Sequence, residues 1–270
     1  MGFKNLLSKA DFAKTFTSYF NTATTILQKS HTNTKVLYPE DTYKYLFASD
    51  SILIGIETSH QGGNSNRILN YIEEDYFRLF HLVYVVNELQ ASLAKDHNLW
   101  IRGAISAGKA CIIPEKSIYV GQPIVDSHEL EKMANFPRVI IDPKIFAHFS
   151  HSYGEFSRNL GEIAPHERIL FDMTSPKTTS KKAFEDGIPT LNWFDFLLTS
   201  EMDVEPFFED LKERMNSSMD LYKKGQLLLS MITESFERYC DSFILSPNPN
   251  ERTNRQPYID KIERLIRSCN

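Results

Sequence analysis

The chain has 270 residues, 41% of them hydrophobic and 24% charged, and a net charge of −5. That is an ordinary globular composition for one large domain, or for one domain with a substantial appendage, and the acidic balance gives no basic footprint for nucleic acid. The sequence holds no run of about 18 apolar residues for a conventional membrane span, and "MGFKNLLSKADF" lacks the basic start and long apolar core of a signal peptide, so a cytosolic protein with no membrane partner is expected.

From Ser8 to about Lys29, Phe, Leu and Ala recur at helical spacing without proline or internal glycine, which predicts a long amphipathic helix. "YKYLFAS" and "SILIGIE" are β-rich runs hinged at Ser49-Asp50 and read as a hairpin; "HQGGNSNR" is a loop by composition. Ile68, Ile72, Leu79, Val83, Val86, Leu89 and Leu93 carry the three-and-four spacing of a second helix from Arg67 to Lys95. "LWIRGAISAGKACII" predicts two strands forming a second hairpin, with Gly103 and Gly108 allowing close approach or a tight turn. "GQPIVDSHELEKMA" predicts a third helix with Pro123 near its start, "PRVIID" a short strand, and Pro143 a helix into "KIFAHF".

Region 151–200 is looser, with a strand at "ILFDM", a polar loop at "TSPKTTSKK" and a strand or turn at "GIPTLNWF". Beyond Val204 the pattern is helical to the end, broken by a linker at "SPNPNERTNRQP". The order of elements predicts an α+β fold, a sandwich with a mostly antiparallel sheet followed by a helical tail.

Some polar residues invite a structural reading. Cys111, Cys240 and Cys269 are odd in number and far apart, which suggests reduced thiols rather than disulfides or a zinc site. His128 reads as a surface histidine; His148 and His151 share a helical face but have no third ligand nearby in sequence. Asp172 and Asn192 follow predicted strands, where polar residues commonly serve turns. The glycines of "HQGGNSN" are not followed by Gly-Lys-Ser/Thr, so this is not a P-loop.

"FASDSILIG", then "IRGAISAGK" about fifty residues on, then "YVGQPIVDSHELEKMANFPRVIID" together resemble the catalytic domain of class III nucleotide cyclases, with the closest likeness to the pyrimidine cyclases of the Pycsar anti-phage systems. The resemblance covers Gly2 to Asp142 and extends through "FDM" and "GIPTLNWFDFLL". It implies a ferredoxin-like cyclase sandwich over residues 1–200, helices on one face of the sheet, and a helical extension over 201–270. The implied reaction turns UTP or CTP into its 3′,5′-cyclic monophosphate and pyrophosphate, a signal to a cyclic-nucleotide effector in anti-phage defence. Family members work as head-to-tail dimers, which implies a homodimer.

In the family, two aspartates hold two divalent ions, Mg²⁺ or Mn²⁺, and hard cations suit carboxylate oxygens. Asp50 matches the hairpin aspartate, although turn formation alone also suits an aspartate there. Gly2-Phe3 matches the Gly-Phe that ends the family's first strand. This places the other metal aspartate two residues upstream of Met1 and leaves the first strand missing. Either the natural protein starts further upstream, or the chain is a degenerate relative.

The resemblance makes Asp50 and Arg102 the catalytic candidates, with Asp50 the metal ligand, and Ser49, Ser51, Lys109 and Arg138 the substrate-binding candidates. Arg102 reads equally as a surface arginine or as a planar fork for phosphate; alternation puts it on one face with Trp100, Ala104 and Ser106. Arg138 also suits a structural ion pair with Glu131 or Asp142. The asparagine and arginine that steady the transition state in ordinary adenylate and guanylate cyclases are replaced by Val125 and Glu129. That points away from a standard purine cyclase, and leaves two alternatives beside the pyrimidine enzyme: a nucleotide-binding or regulatory module without chemistry, and a purine cyclase with a divergent site.

Overall fold

The computed structural model of the protein describes residues 11–37, 43–48, 51–57, 68–147, 188, 190–191, 193–199, 203–244 and 249–270. The expected strand "ILFDM", the loops "HQGGNSNR" and "TSPKTTSKK", and Ser49, Asp50, His148, His151, Asp172 and Asn192 lie outside them.

Helix α1 (Phe12–Leu37) runs past the expected Lys29, because the chain meets no glycine or proline before Pro39. It packs on α2 (Ile68–His97), where Ala23, Ile26 and Leu27 of α1 share an apolar core with Leu82, Val83, Val85 and Leu89. Two polar links cross this seam: Thr22 Oγ1 lies 2.8 Å from His97 Nε2, and Ser30 Oγ 2.9 Å from His81 Nε2.

Strands β1 (Tyr43–Ala48) and β2 (Ser51–Ile56) form the expected antiparallel hairpin, with Tyr45 opposite Ile54, Phe47 opposite Ile52 and Ala48 opposite Ser51. Directly opposed residues share a face, and Tyr45, Phe47, Ile52, Ile54 and Ile56 all turn toward the α1–α2 core.

The second expected hairpin is rearranged. Strand β3 (Gly103–Ile105) pairs in parallel with β6 (Val139–Ile141), whereas β4 (Ala110–Ile113) pairs antiparallel with β5 (Ile118–Gly121) through a 3₁₀ turn at Pro114–Lys116. Between β3 and β4 the chain is held by helix α3 (Gln122–Met133): the Ser106 hydroxyl donates to the Pro123 carbonyl, and a Cβ on Gly108 would stand 3.2 Å from Pro123. Gly121, at φ 153°, leads into α3, and a side chain there would collide with the Lys109 carbonyl and Ala110. Residues 143–147 are helical, as Pro143 suggested.

Within the strand or turn expected at "GIPTLNWF", Thr190 bridges antiparallel to Ile140, and helix α4 (Trp193–Thr199) begins at Trp193. Helices α5 (Glu205–Ser217), α6 (Met219–Ile244) and α7 (Pro249–Cys269) follow. The expected linker is therefore a correction: α7 takes in most of it, with Pro257 inside the helix. Tyr258, Ile259, Ile262, Ile266 and Cys269 form a helical stripe on the core around Phe207, Phe208 and Leu228, and that burial outweighs the backbone bond a proline removes. This second core also takes in Ala91 and Ala94 of α2 and Trp193 and Phe194 of α4. The fold is mixed helix and strand, compatible with α+β, and no described helix is long and apolar enough to cross a membrane.

Candidate functional site

An open cleft of about 2090 Å³ separates β2 from β3, with α1 and α2 beneath it and α3 and the start of α6 along its rim. Ser51 begins β2 at its margin and is exposed. Ser49 and Asp50, between the paired Ala48 and Ser51, lie outside the described residues.

The segment leading into β3 sets the opposite wall. Gly103 N–H donates to the Arg138 carbonyl at 3.1 Å and Asp142 N–H to the Ile105 carbonyl at 2.9 Å, which fixes β3 against β6. Ile105 is then buried against the α1–α2 core, while Arg102, Ala104 and Ser106 all turn toward α3, as alternation predicts. Trp100 departs from that face. Its ring packs on Phe207 and beneath the Arg214 guanidinium of α5, 4.2 Å away, while Arg214 also donates to the Asn98 carbonyl and to Asp210, at 2.6 Å each.

Arg102 is exposed, and its Nε donates to Glu131 Oε1 of α3 at 2.9 Å; His128 Nδ1 stands 3.8 Å from the other Glu131 oxygen. The fork proposed for phosphate is thus turned to a carboxylate at the cleft wall. Lys109 is exposed and lines the cleft.

Arg138 is placed differently. It is 1% exposed and does not line the cleft. Its Nη1 donates to Thr190 Oγ1 at 3.4 Å and its Nη2 to the Met133 carbonyl at 3.3 Å, with Phe136 5.1 Å beneath the guanidinium. It ties the end of α3 to Thr190, and the Glu131 partner considered for it belongs to Arg102. A buried staple of this kind offers nothing to a substrate in the cleft.

No known protein family, curated protein or solved structure matches this chain. The chemistry of the cleft therefore has to be read from its own residues.

Five described acids line the cleft, Glu57, Asp126, Glu131, Asp142 and Asp220. Asp126 accepts from Gln122 at 2.7 Å, and Asp142 accepts from the Lys144 backbone N–H at 2.8 Å, capping the helical turn at 143–147. Among the described residues no group of three or more His, Cys, Asp or Glu side chains could hold a metal ion, so these residues alone do not make a divalent site.

Sequence reasoning passed over Lys144, Tyr119 and the α6 residues Asp220 and Lys224, all of which line the cleft. Burial, reinforced by Glu115, pushes the Tyr119 phenol up, and its hydroxyl has no hydrogen-bond partner among the described residues. Lys224 is 2.7 Å from Asp220 one turn away. No local pattern marks these positions, because tertiary packing alone brings the start of α6 to the rim.

Proposed function

We propose that the protein is a nucleotide cyclase of the class III kind, turning UTP or CTP into its 3′,5′-cyclic monophosphate and pyrophosphate as a signal in anti-phage defence. One observation carries this reading: the three segments that resemble the family, separated by up to seventy-odd residues, line a single cleft through Ser51, through Arg102 to Lys109, and through Pro123 to Glu131. A triphosphate entering there meets Lys109 and, once Glu131 gives way, the planar donors of Arg102. Ser51 offers a hydroxyl at the opposite margin.

The ferredoxin-like sandwich over residues 1–200, the head-to-tail homodimer and a downstream cyclic-nucleotide effector belong to the same proposal, as does action in the cytosol. Mg²⁺ or Mn²⁺ would be held by Asp50, and when bound supplies positive charge for the phosphates and activation of the ribose hydroxyl. Four of the five described acids of the cleft, Asp126, Glu131, Asp142 and Asp220, are engaged within the fold, and the metal reading rests on Asp50.

The Arg102–Glu131 pair, together with Val125 and Glu129, favours a second reading, a binding or regulatory module that retains the cleft without chemistry. One experiment separates the two. This chain, and a form extended upstream in its reading frame, are incubated with each of the four NTPs and Mn²⁺, and pyrophosphate and cyclic product are measured. Cyclic UMP or CMP that disappears in Asp50→Ala and Arg102→Ala supports the enzyme. Nucleotide binding without turnover in both forms gives the module, and cyclic AMP or GMP as the main product makes it a purine cyclase.

A further inference from the structure

Arg102 stands on a stretch of the cleft wall that precedes the sheet. Helix α2 ends at His97, Asn98 turns the backbone into the left-handed region at φ 51°, and every residue from Leu99 to Ala110 then lines the cleft. Ladder pairing begins only at Gly103. Residues 98–102 belong to no strand, so tethers from the neighbouring helices fix their course.

Two tethers come from α2. Leu99 N–H donates to the Leu93 carbonyl at 3.0 Å, and the buried Gln90 donates through Nε2 to the Ile101 carbonyl at 3.3 Å. A shorter one comes from the helical tail, where Arg214 Nη2 of α5 donates to the Asn98 carbonyl at 2.6 Å. The same guanidinium lies 4.2 Å from the Trp100 ring, and its Nε donates to Asp210 Oδ2 at 2.6 Å, one turn earlier in α5. The Arg214 and Asp210 side chains are 11% and 15% exposed, and charge-assisted bonds shielded in this way are strong and little screened by salt. Helix α5 is itself rooted, because Phe207, Phe208 and Leu211 are sealed in the second core.

The tether calls for arginine. A planar fork donates in two directions while it stacks on an indole, which a lysine ammonium does not match. Trp100 is held on α5, out of alternation with Arg102, and Arg102 follows two residues, about 7 Å, further along an extended chain.

We propose that Arg214 is a positioning residue of the cleft: through Asn98 and Trp100 it lets the helical tail set where Arg102 meets the phosphates of a ligand. The phosphate part rests on the reading of the cleft given under the proposed function; the hold on the wall stands on geometry alone. A coupling of this kind is reciprocal, so the tail becomes a control element of the cleft as well as part of the core.

Hydrogen exchange followed by mass spectrometry, together with titrations of UTP and CTP in Mn²⁺, tests this on the full chain and on its Arg214→Met and Arg214→Lys variants. In both variants exchange over residues 98–104 is expected to rise at least tenfold while residues 228–236, in the buried middle of α6, change less than twofold. Affinity for UTP or CTP is expected to fall at least fivefold. Unchanged exchange over 98–104, or an equal rise in both segments from a general loss of stability, overturns the proposal. So does an Arg214→Lys variant that behaves as the native chain, and so does a loosened wall with unchanged triphosphate affinity. A native chain that binds no triphosphate refutes the cyclase reading instead, and exchange over 98–104 then decides the hold on the wall by itself. Should Arg214→Met fail to fold, Asp210→Asn, which keeps the guanidinium but loosens its aim, is measured in its place against the same two outcomes.

Discussion

Arg102 and Glu131 meet in an exposed ion pair, and His128 approaches the same carboxylate from the other side. Exposed pairs contribute at most about 1 kcal/mol, so Glu131→Gln is expected to leave the melting temperature almost unchanged while freeing the guanidinium. Triphosphate affinity should then rise several-fold in a titration, and an unchanged or weaker affinity would remove Arg102 from the phosphate site. Arg138 behaves oppositely because it is buried. Arg138→Met strands the Met133 carbonyl and Thr190 without their donor and is expected to cost about 2–4 kcal/mol in urea denaturation; a loss below about 1 kcal/mol would mean the staple carries little. The facing of Arg102, Ala104 and Ser106 toward α3 was legible in the sequence, since alternation is a local property. The burial of Arg138 was not, because its partner Thr190 is 52 residues away.

The α1–α2 pair holds three groups whose burial couples stability to pH. Burial lowers the affinity of His81 for a proton, with the Ser30 contact opposing it weakly, and burial acts likewise on His97, opposed by Asp96. The unfolded chain then takes up protons more readily, so stability present above pH 6.5 is lost as the pH falls through that value and below it. Stability measured by urea denaturation is expected to drop between pH 7 and 5.5, and a His81→Gln, His97→Gln double variant should flatten the slope. Glu88 has the opposite sign. Burial raises its carboxyl above 4.5, against the pull of Lys29 3.9 Å away, so its contribution is favourable below 4.5 and is lost as the pH rises through its folded value. Glu88→Gln should therefore raise the melting temperature at pH 7 and lose that advantage at pH 4; a lower melting temperature at pH 7 would show that the Lys29 pair prevails. The helices themselves were legible from their 3.6-residue pattern. The first part of helix α7, Pro249–Pro257, was hidden by its asparagines and prolines, while the stripe from Tyr258 to Cys269 that follows it on a distant core read as helix. The pairing of β3 with β6 was hidden too, since short apolar runs do not name their partners.

Across the whole molecule, the helices beyond Val204 close a core that Ala91, Ala94, Trp193 and Phe194 open from the earlier chain. Removing residues 203–270 would bare Trp193, Phe194, Leu197 and Leu198, all at most 1% exposed, a contiguous apolar surface that promotes association. The shortened chain is expected to aggregate in size-exclusion chromatography, and a monodisperse product would show that residues 11–199 fold alone. The cleft, set where strand edges, α3 and α6 converge, was legible only as scattered motifs; no single stretch contains its shape.

The chain has two tryptophans, and the fold gives them different surroundings. Trp193 is sealed in the core at 1% exposure, whereas Trp100 lines the cleft beneath Arg214. The molecule thereby carries its own optical reporter. In a Trp193→Phe variant, nearly all emission excited at long ultraviolet wavelength would come from the cleft wall, so that filling the cleft with a nucleotide could be followed by colour and intensity alone, with no label attached.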